Sequence, residues 1–389
     1  MRNVDAAGLG IGDDYPPRVM GVLNVSEESP YDPSVFDDPG EAAAYVDREL
    51  VGEGADIVDV GLESANREFD VLSARQELDR LDTAVETLHS TSGDAVWSIE
   101  TRYADVAAEA LDRGFDMVND VAGFADPEMP AVCREYDVAV AKMASPPDVT
   151  RPGVVAETPW AERRSEEWAA QADYVDQVYE ALKQHGLTDR TIVDPAFGRW
   201  AEAQTVEQDR AAFRRLREFR GLGRPMLVSI DRKAFLRALA DRSAEAVLPV
   251  SLAATSMAVE RGAHVVRTHD VAETVDAATI GRAFSRERTR ATDRGVAVTE
   301  LDVATPDEVA RHAERVGVDA DPAETVGSVY ELRGADPETR SELSTAAEEA
   351  GCVLFVDGGS GGWHALLSGS ASALARVAGR TGLPVGARD

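Results

Sequence analysis

One pattern limits what this chain can fold into more than any other: a short apolar run followed by a helix-length stretch, eight times over. The runs are Arg18 to Asn24, Asp56 to Gly61, Ala95 to Glu100, Phe115 to Asp120, Asp137 to Met143, Arg190 to Pro195, Pro225 to Ile230 and Val265 to Val271. Runs that are nearly all apolar predict strands covered on both faces. With helical patterns between them, the strands must pair in parallel, because a parallel crossover needs a connection of that length. Eight such units over residues 18–285 match a (β/α)8 TIM barrel in count and size. A doubly wound open sheet is the alternative, but the glycine-rich turn of a dinucleotide site is missing after the first run.

The helical stretches are expected at about 39–51, 73–89, up to 113, up to 135, 159–184 and 272–283. Residues 1–17 read as a leader, and residues 286–389 as a smaller α/β domain of unknown role. In that domain strands are predicted at 295–303, 328–332 and 352–356, and helices at 306–316, 337–351 and 363–379. The turn Gly358-Gly359-Ser360-Gly361-Gly362 reads as a tight strand-to-helix turn, with anion binding on its backbone N–H groups as the other reading.

Charge excludes whole classes of partner. The chain has 71 acids against 40 bases, a net of -31, so the basic face that nucleic acid requires is not expected. Only three bases are lysines, Lys142, Lys183 and Lys233. An acid-coated, lysine-poor surface suits a salt-rich, halophilic cytosol, where screening shortens the range of self-repulsion. The N-terminus lacks the basic-then-apolar pattern of a signal peptide, and no apolar run is long enough to span a bilayer; a cytoplasmic chain is expected. Two distant cysteines, Cys133 and Cys352, do not suggest a disulfide framework.

A barrel keeps its active site at the C-terminal ends of its strands. Those ends carry Asn24, Glu63, Glu100, Asn119, Asp120, Lys142, Asp194, Lys233, Arg267 and His269. Amides and carboxylates (Glu100, Asn119, Asp194) stand at the third, fourth and sixth ends, and Lys233, Arg267 and His269 gather at the seventh and eighth. Arg267 and His269 are two apart on an extended chain and point to one side, as a phosphate clamp would. The ligand inferred is bipartite. Its anion lies on Arg267 and His269, and its flat amino-heterocycle is read by Asp194, Asn119 and Lys233.

At these residues the sequence becomes familiar. M-G-V-L-N-V-S-E-E-S, E-G-A-D-I-V-D-V-G-L-E-S, S-I-E-T-R-Y, M-V-N-D-V-A-G, I-V-D-P-A-F-G, D-R-K-A-F-L and V-V-R-T-H-D-V occur in the order of the dihydropteroate synthase family, which the stretch 18–284 resembles. The resemblance implies a Mg²⁺-dependent barrel enzyme that joins 6-hydroxymethyl-7,8-dihydropterin diphosphate to 4-aminobenzoate, a step of folate synthesis, and works as a homodimer. By the same resemblance Asn24 holds the diphosphate and Mg²⁺, Arg267 and His269 hold the diphosphate, and Glu100, Asn119, Asp194 and Lys233 bind the pterin. Catalysis would rest on Asn24, Lys233, Arg267 and His269. The second substrate would meet the loops carrying Ser26, Ser64 and Arg67, together with Asp231.

The departures from the family cluster in those loops. Pro30 replaces a phenylalanine, Arg67 is displaced by one position, and Asp231 replaces a serine. An acid at 231 would repel an anionic aniline unless Arg67, Arg232 or Lys142 offsets it. A pterin-binding methyltransferase barrel and a non-catalytic pterin-binding paralogue are the alternatives.

Overall fold

Alternation along the apolar runs becomes alternation between the inside and the outside of a barrel. The structure, a computed structural model, describes residues 2–26, 34–64, 71–145, 160–198, 204–294, 296–319, 321–356 and 363–385. The chain divides into two compact units, Met1–Glu287 and Arg288–Asp389. The strands of the first are β1 (Val4–Ala6), β2 (Leu9–Ile11), β3 (Arg18–Asn24), β4 (Ile57–Gly61), β5 (Val96–Glu100), β6 (Met117–Asp120), β7 (Ala139–Met143), β8 (Thr191–Asp194), β9 (Leu227–Val228) and β10 (Val265–Thr268). Its helices are α1 (Pro39–Tyr45, continued as a π-helical turn over Val46–Val51), α2 (Ala74–Ser90), α3 (Ala104–Asp112), α4 (Met129–Glu135), α5 (Trp160–Arg163), α6 (Glu166–Gln171), α7 (Tyr174–Lys183), α8 (Val206–Arg214), α9 (Ala234–Ala240), α10 (Leu248–Glu260) and α11 (Val271–Ala283). None of the described helices is long and apolar enough to cross a membrane.

Strands β3 to β10 form one parallel sheet in the order β8-β7-β6-β5-β4-β3-β10-β9. A bridge between Val193 and Met226, with Val193 N donating to Pro225 O at 2.9 Å, joins the two ends and closes the (β/α)8 barrel. Strand β9 is shorter than its apolar run predicts. Pro225 has no N–H for the ladder, and Met226 N donates to the His264 ring at 3.1 Å instead.

The interior is built in two layers. Met20, Ile57, Val96, Met117, Ala139, Ala141, Ile192, Leu227 and Val265 fill the lower one and form a single apolar cluster with Val4, Ala6 and Ile11. The hairpin of residues 4–11 is therefore a plug rather than part of a leader. The hairpin turns at Ala7 and Gly8, both at positive φ, and sends its apolar residues into the N-terminal end of the barrel. Alternation then fixes what stands above this layer: Asp59, Ser98, Asn119, Asp194 and Arg267 are each an even number of residues along their strands from a lower-layer side chain.

The single helix predicted for 159–184 is three helices. Ser165 and Asp173 break it by capping α6 and α7, each accepting from the backbone N–H three residues on.

The second unit holds β11 (Arg290–Asp293), β12 (Val296–Thr299), α12 (Pro306–Val316), β13 (Gly327–Arg333), α13 (Pro337–Ala350), β14 (Val353–Val356), β15 (His364–Ser370) and α14 (Ala371–Thr381). Its main sheet, β13-β15-β14, is antiparallel. The helix predicted for 363–379 is half strand. Residues 364–370 pair on both edges as the central strand, and Ser370 then caps α14 by accepting from Ala373 N. The glycine run 358–362 lies outside the described residues.

Candidate active site

Arg267 decides the geometry of the barrel mouth. It leaves β10 facing inward and crosses to the neighbouring side, where its Nε donates to Asp59 of β4 at 2.7 Å and its Nη2 to Glu100 of β5 at 2.6 Å. Asp59 has no solvent exposure and also accepts from Ser98 Oγ at 2.7 Å and Asn119 Nδ2 at 2.9 Å. Four strands thus meet on one carboxylate. Registry makes this possible, since Asp59 is level with Ser98, and Glu100 with Asn119.

Asp194 ends β8 and accepts from Ala196 N at 2.8 Å. Burial raises its pKa to about 6, against the pull of Lys233 and Arg267. Lys233 precedes α9 in the loop that follows β9, and burial and then Arg267 lower its pKa while Asp194 and Asp209 oppose them. Its stem runs so close to Gly198 that a Cβ there would sit 2.5 Å from Lys233 Cδ, and Gly198 itself is at φ +100°. A side chain at 198 would displace the lysine. Glu100 is pushed upward by burial, with Arg267 lowering and Asp59 raising it further.

His269 is not a second cation beside Arg267. Burial, Arg267 and Lys233 drive its pKa down to about 3, so the ring is neutral at physiological pH. Its backbone N–H donates to Asp231 at 3.2 Å.

Asn24 ends β3, donates from Nδ2 to Ser34 Oγ at 3.0 Å, and faces Gly61, where a Cβ would lie 3.0 Å from its Oδ1. Ser26 and Ser64 are buried beside the ends of β3 and β4, while Arg67 lies outside the described residues.

Two expectations fail for a reason of parity. Lys142 and Asp120 occupy outward positions on β7 and β6. Lys142 is fully buried among the surrounding helices. Its ammonium caps the end of α7 by donating to Leu182 O and Gly186 O, each at 3.0 Å, and to Gln184 O. Asp120 accepts from Ala122 N at 2.8 Å and Phe124 N at 2.7 Å and shapes its own loop. Glu63 likewise turns to the stem of its loop, accepting from Leu72 N at 2.9 Å and from Arg102. Lys142, turned to the helices, does not offset Asp231. Burial and then the Asp270 charge raise the Asp231 carboxyl to about 6, and Arg232 offsets this in part. Arg232 is held bidentately by Asp270 at 2.7 and 2.8 Å and by Ala244 O at 2.8 Å.

The residue missed from sequence is Asp59. It lies two positions before the end of β4 in D-I-V-D-V-G, with the same parity as Gly61, so it faces inward one layer below the rim. An acid inside an otherwise apolar buried run was the available signal.

A closed parallel barrel with buried carboxylates, an amide, a lysine and an arginine converging on one mouth defines a (β/α)8 protein of the ligand-processing kind. A family model described as "Pterin binding enzyme" matches residues 20–269, and the chain belongs to that family. It is 34% identical over 267 residues to a "Probable bifunctional folylpolyglutamate synthase/dihydropteroate synthase" of Halobacterium salinarum, covering 68% of this chain but only 31% of that protein. The chain thus spans about a third of the length of that bifunctional relative. It is 32% identical over 290 residues to "Dihydropteroate synthase type-1" of Escherichia coli, covering 72% of this chain and 98% of that one. Among solved structures, a Coxiella burnetii dihydropteroate synthase in complex with pteroic acid superposes with a TM-score of 0.57 at 28% identity, over 72% of this chain and 98% of that chain.

Proposed function

We propose that the first unit is a dihydropteroate synthase, condensing 6-hydroxymethyl-7,8-dihydropterin diphosphate with 4-aminobenzoate or a related aniline in the cytoplasm. The observation that carries this reading is Arg267 set between Asp59 and Glu100, beside Asn119, Asp194 and Lys233. Pteroic acid, the molecule bound by the Coxiella burnetii relative, is a pterin joined through a methylene to aminobenzoate, the skeleton this reaction builds. A methyltransferase would have no use for an anion clamp on β10.

Asp194 and Asn119 would read the amino-heterocycle, the carboxylate accepting paired N–H groups and the amide matching a donor–acceptor edge. Lys233 would lie beside the ring, and Arg267 and neutral His269 would hold the diphosphate. As the bond from methylene carbon to diphosphate oxygen breaks, negative charge grows on the leaving oxygens, where the guanidinium stands pre-oriented. The aniline nitrogen attacks the methylene and passes its proton to solvent water, and no protein nucleophile takes part.

The described residues contain no cluster of three or more His, Cys, Asp or Glu that could hold a metal. Mg²⁺ needs no such cluster, because it is commonly bound through one or two protein oxygens plus substrate phosphates. Asn24 Oδ1, turned towards Gly61, fits the one protein ligand this requires. When bound, the ion would supply charge neutralisation of the departing diphosphate.

A homodimer is part of the proposal. Helices α10 and α11 keep Met257 and Ile280 46% and 53% exposed on their outer faces, with Phe284 at 78% just beyond. Such a patch on adjacent helices is suited to a second copy.

The test is diphosphate release from the pure protein supplied with Mg²⁺, the pterin diphosphate and 4-aminobenzoate, in low salt and in molar salt. Release that saturates in both substrates is expected, stronger in molar salt and with a dimer in light scattering. No release with any of several anilines would sink the synthase reading. Equal stability and activity without salt would remove the halophilic one, and a monomer would remove the dimer.

Release should also decline as pH falls through about 6, where Asp194 takes up its proton. The sign for stability is opposite. A carboxylate whose folded pKa is raised by burial binds its proton earlier in the native state, so its contribution improves as pH falls from about 6 towards 4. Lost activity at pH 5.5 should therefore not be accompanied by unfolding on account of this group.

A further inference from the structure

The turn that leaves β8 serves two residues of the mouth at once. Asp194 ends the strand and accepts from Ala196 N at 2.8 Å. Gly198, two residues further, lies along the stem of Lys233, where an added Cβ would stand 2.5, 3.2 and 3.3 Å from Cδ, Cε and Nζ. Ala196 is at φ +62° and Gly198 at φ +100°. For an alanine that conformation costs about 1–2 kcal/mol, so it persists only where the surroundings fix it. Phe197 between them is 1% exposed and packs on Phe213 of α8 and Phe235 of α9, with ring centres 6.0 and 5.8 Å away. Burying that ring draws the neighbouring backbone out of water, and its N–H and C=O groups then need partners.

Gln204 and Asp209 are those partners. Thr205 and Gln208 form a capping box that starts α8 and sets Asp209 in its first turn, 1% exposed. Asp209 Oδ1 accepts from Gly198 N at 3.2 Å and from Gln204 Nε2 at 2.6 Å. Gln204, 5% exposed, also donates from Nε2 to Ala196 O at 3.1 Å. A side-chain amide has two N–H donors, and each here has its own acceptor. The turn cannot open without leaving Ala196 O, Gly198 N and an amide unsatisfied in a dry site.

We propose that Asp209, with Gln204, is a positioning residue for the heterocycle end of the site: by holding the turn from Ala196 to Gly198, it sets the Asp194 carboxylate and the Lys233 stem relative to each other. The assignment rests on the reading of Asp194 and Lys233 as pterin contacts. Binding of 6-hydroxymethylpterin, followed by its own fluorescence, tests it without turnover. Asp209→Ala should weaken binding roughly 10- to 100-fold and raise KM for the pterin diphosphate by a like factor, with KM for the aniline within about twofold. Asp209→Asn keeps an oxygen able to accept from both N–H groups, so it should stay within about threefold of wild type. A loss below about tenfold in Asp209→Ala overturns the assignment. Equal losses in the alanine and asparagine variants overturn it too, because the effect would then lie in the charge alone.

A second readout needs neither pterin nor activity. Lys233 is one of three lysines, so its acetylation by acetic anhydride can be followed by peptide mass, with Lys183 as the internal standard. Gln204→Ala removes the bond to Ala196 O and leaves the Asp209 charge in place, which keeps the test open should Asp209→Ala fail to fold. In it Lys233 should be acetylated at least about fivefold faster relative to Lys183, with the fold intact by circular dichroism. A smaller change refutes the positioning whether or not the protein binds pterin. Faster acetylation of Lys233 in the variant, with no pterin bound by the unsubstituted protein, would uphold the hold on Lys233 and reject the pterin reading alone.

Discussion

Asp59→Asn is expected to lower kcat/KM for the pterin diphosphate by roughly 10²- to 10³-fold, although Asp59 is not at the rim. Its carboxylate receives Ser98 Oγ, Asn119 Nδ2 and Arg267 Nε within 2.9 Å, and nothing of it is exposed. An asparagine has the same shape but no charge and one acceptor oxygen. Keeping Asn119 and Arg267 on that oxygen turns its NH2 onto Ser98 Oγ, which must then accept; the opposite rotamer sets the NH2 against both donors. Arg267 would also lose one of its two carboxylates. Removing one partner of a buried pair costs about 3–5 kcal/mol, and each 1.36 kcal/mol that reaches the transition state is tenfold in rate. Part of the loss will appear as lower Tm, so kcat/KM, the Kd of unreacted pterin and Tm should be measured together. Weaker pterin binding is expected along with slower turnover, because Asn119 would turn as well. A variant with wild-type kinetics would mean that Asp59 does not organise the mouth.

The ring of eight strands was readable because burial on both faces forces apolar runs, and parallel pairing forces a helix after each. The rim residues were readable only as far as strand ends could be located. Lys142 and Asp120 stood at such ends, yet one step of parity put them among the helices, where Lys142 serves as a cap for α7. Asp59 failed in the opposite direction: it is inside the run, and run boundaries draw the eye to Glu63 and Ser64. Counting by twos from Met20, Ile57, Val96, Met117, Ala139, Ile192 and Val265 would have sorted all three. The requirement is to know the lower layer, which the structure supplies. The tying of stems could not be read at all. Asn24 with Ser34, Glu63 with Leu72 and Asp209 with Gly198 and Gln204 are pairings across loops, and nothing in the spacing of a loop says which of its polar residues will meet. The error at 363–379 has a related cause. A seven-residue stretch of small and apolar residues becomes a strand because two other strands are present to pair with it, and single-segment patterns do not register that.

Arg267→Ala is expected to lower kcat by about 10³-fold or more while unreacted pterin binds within a few-fold of wild type. A guanidinium has five N–H donors, and Asp59 and Glu100 use two of them. Three have no partner among the described residues, on a side chain that is 15% exposed and so can reach an anion. Losing one such preoriented donor costs about 10²–10³ in kcat, and here the cation that offsets Asp59 and Glu100 goes with it. The two acids would then share a dry site with only Lys233 left to draw Glu100 down, and Glu100, already raised by burial, would hold its proton more readily. The heterocycle contacts at Asn119, Asp194 and Lys233 stay in place, so pterin without diphosphate should still bind. Arg267→Lys should not restore the rate, because an ammonium on a flexible stem cannot serve Asp59 and Glu100 together and still present donors to the anion. Turnover at the wild-type rate in either variant would show that the diphosphate is held elsewhere. Loss of pterin affinity equal to the loss of rate would place Arg267 on the heterocycle instead. A fall in kcat at unchanged pterin affinity is the one outcome that puts its charge where the leaving group's charge develops.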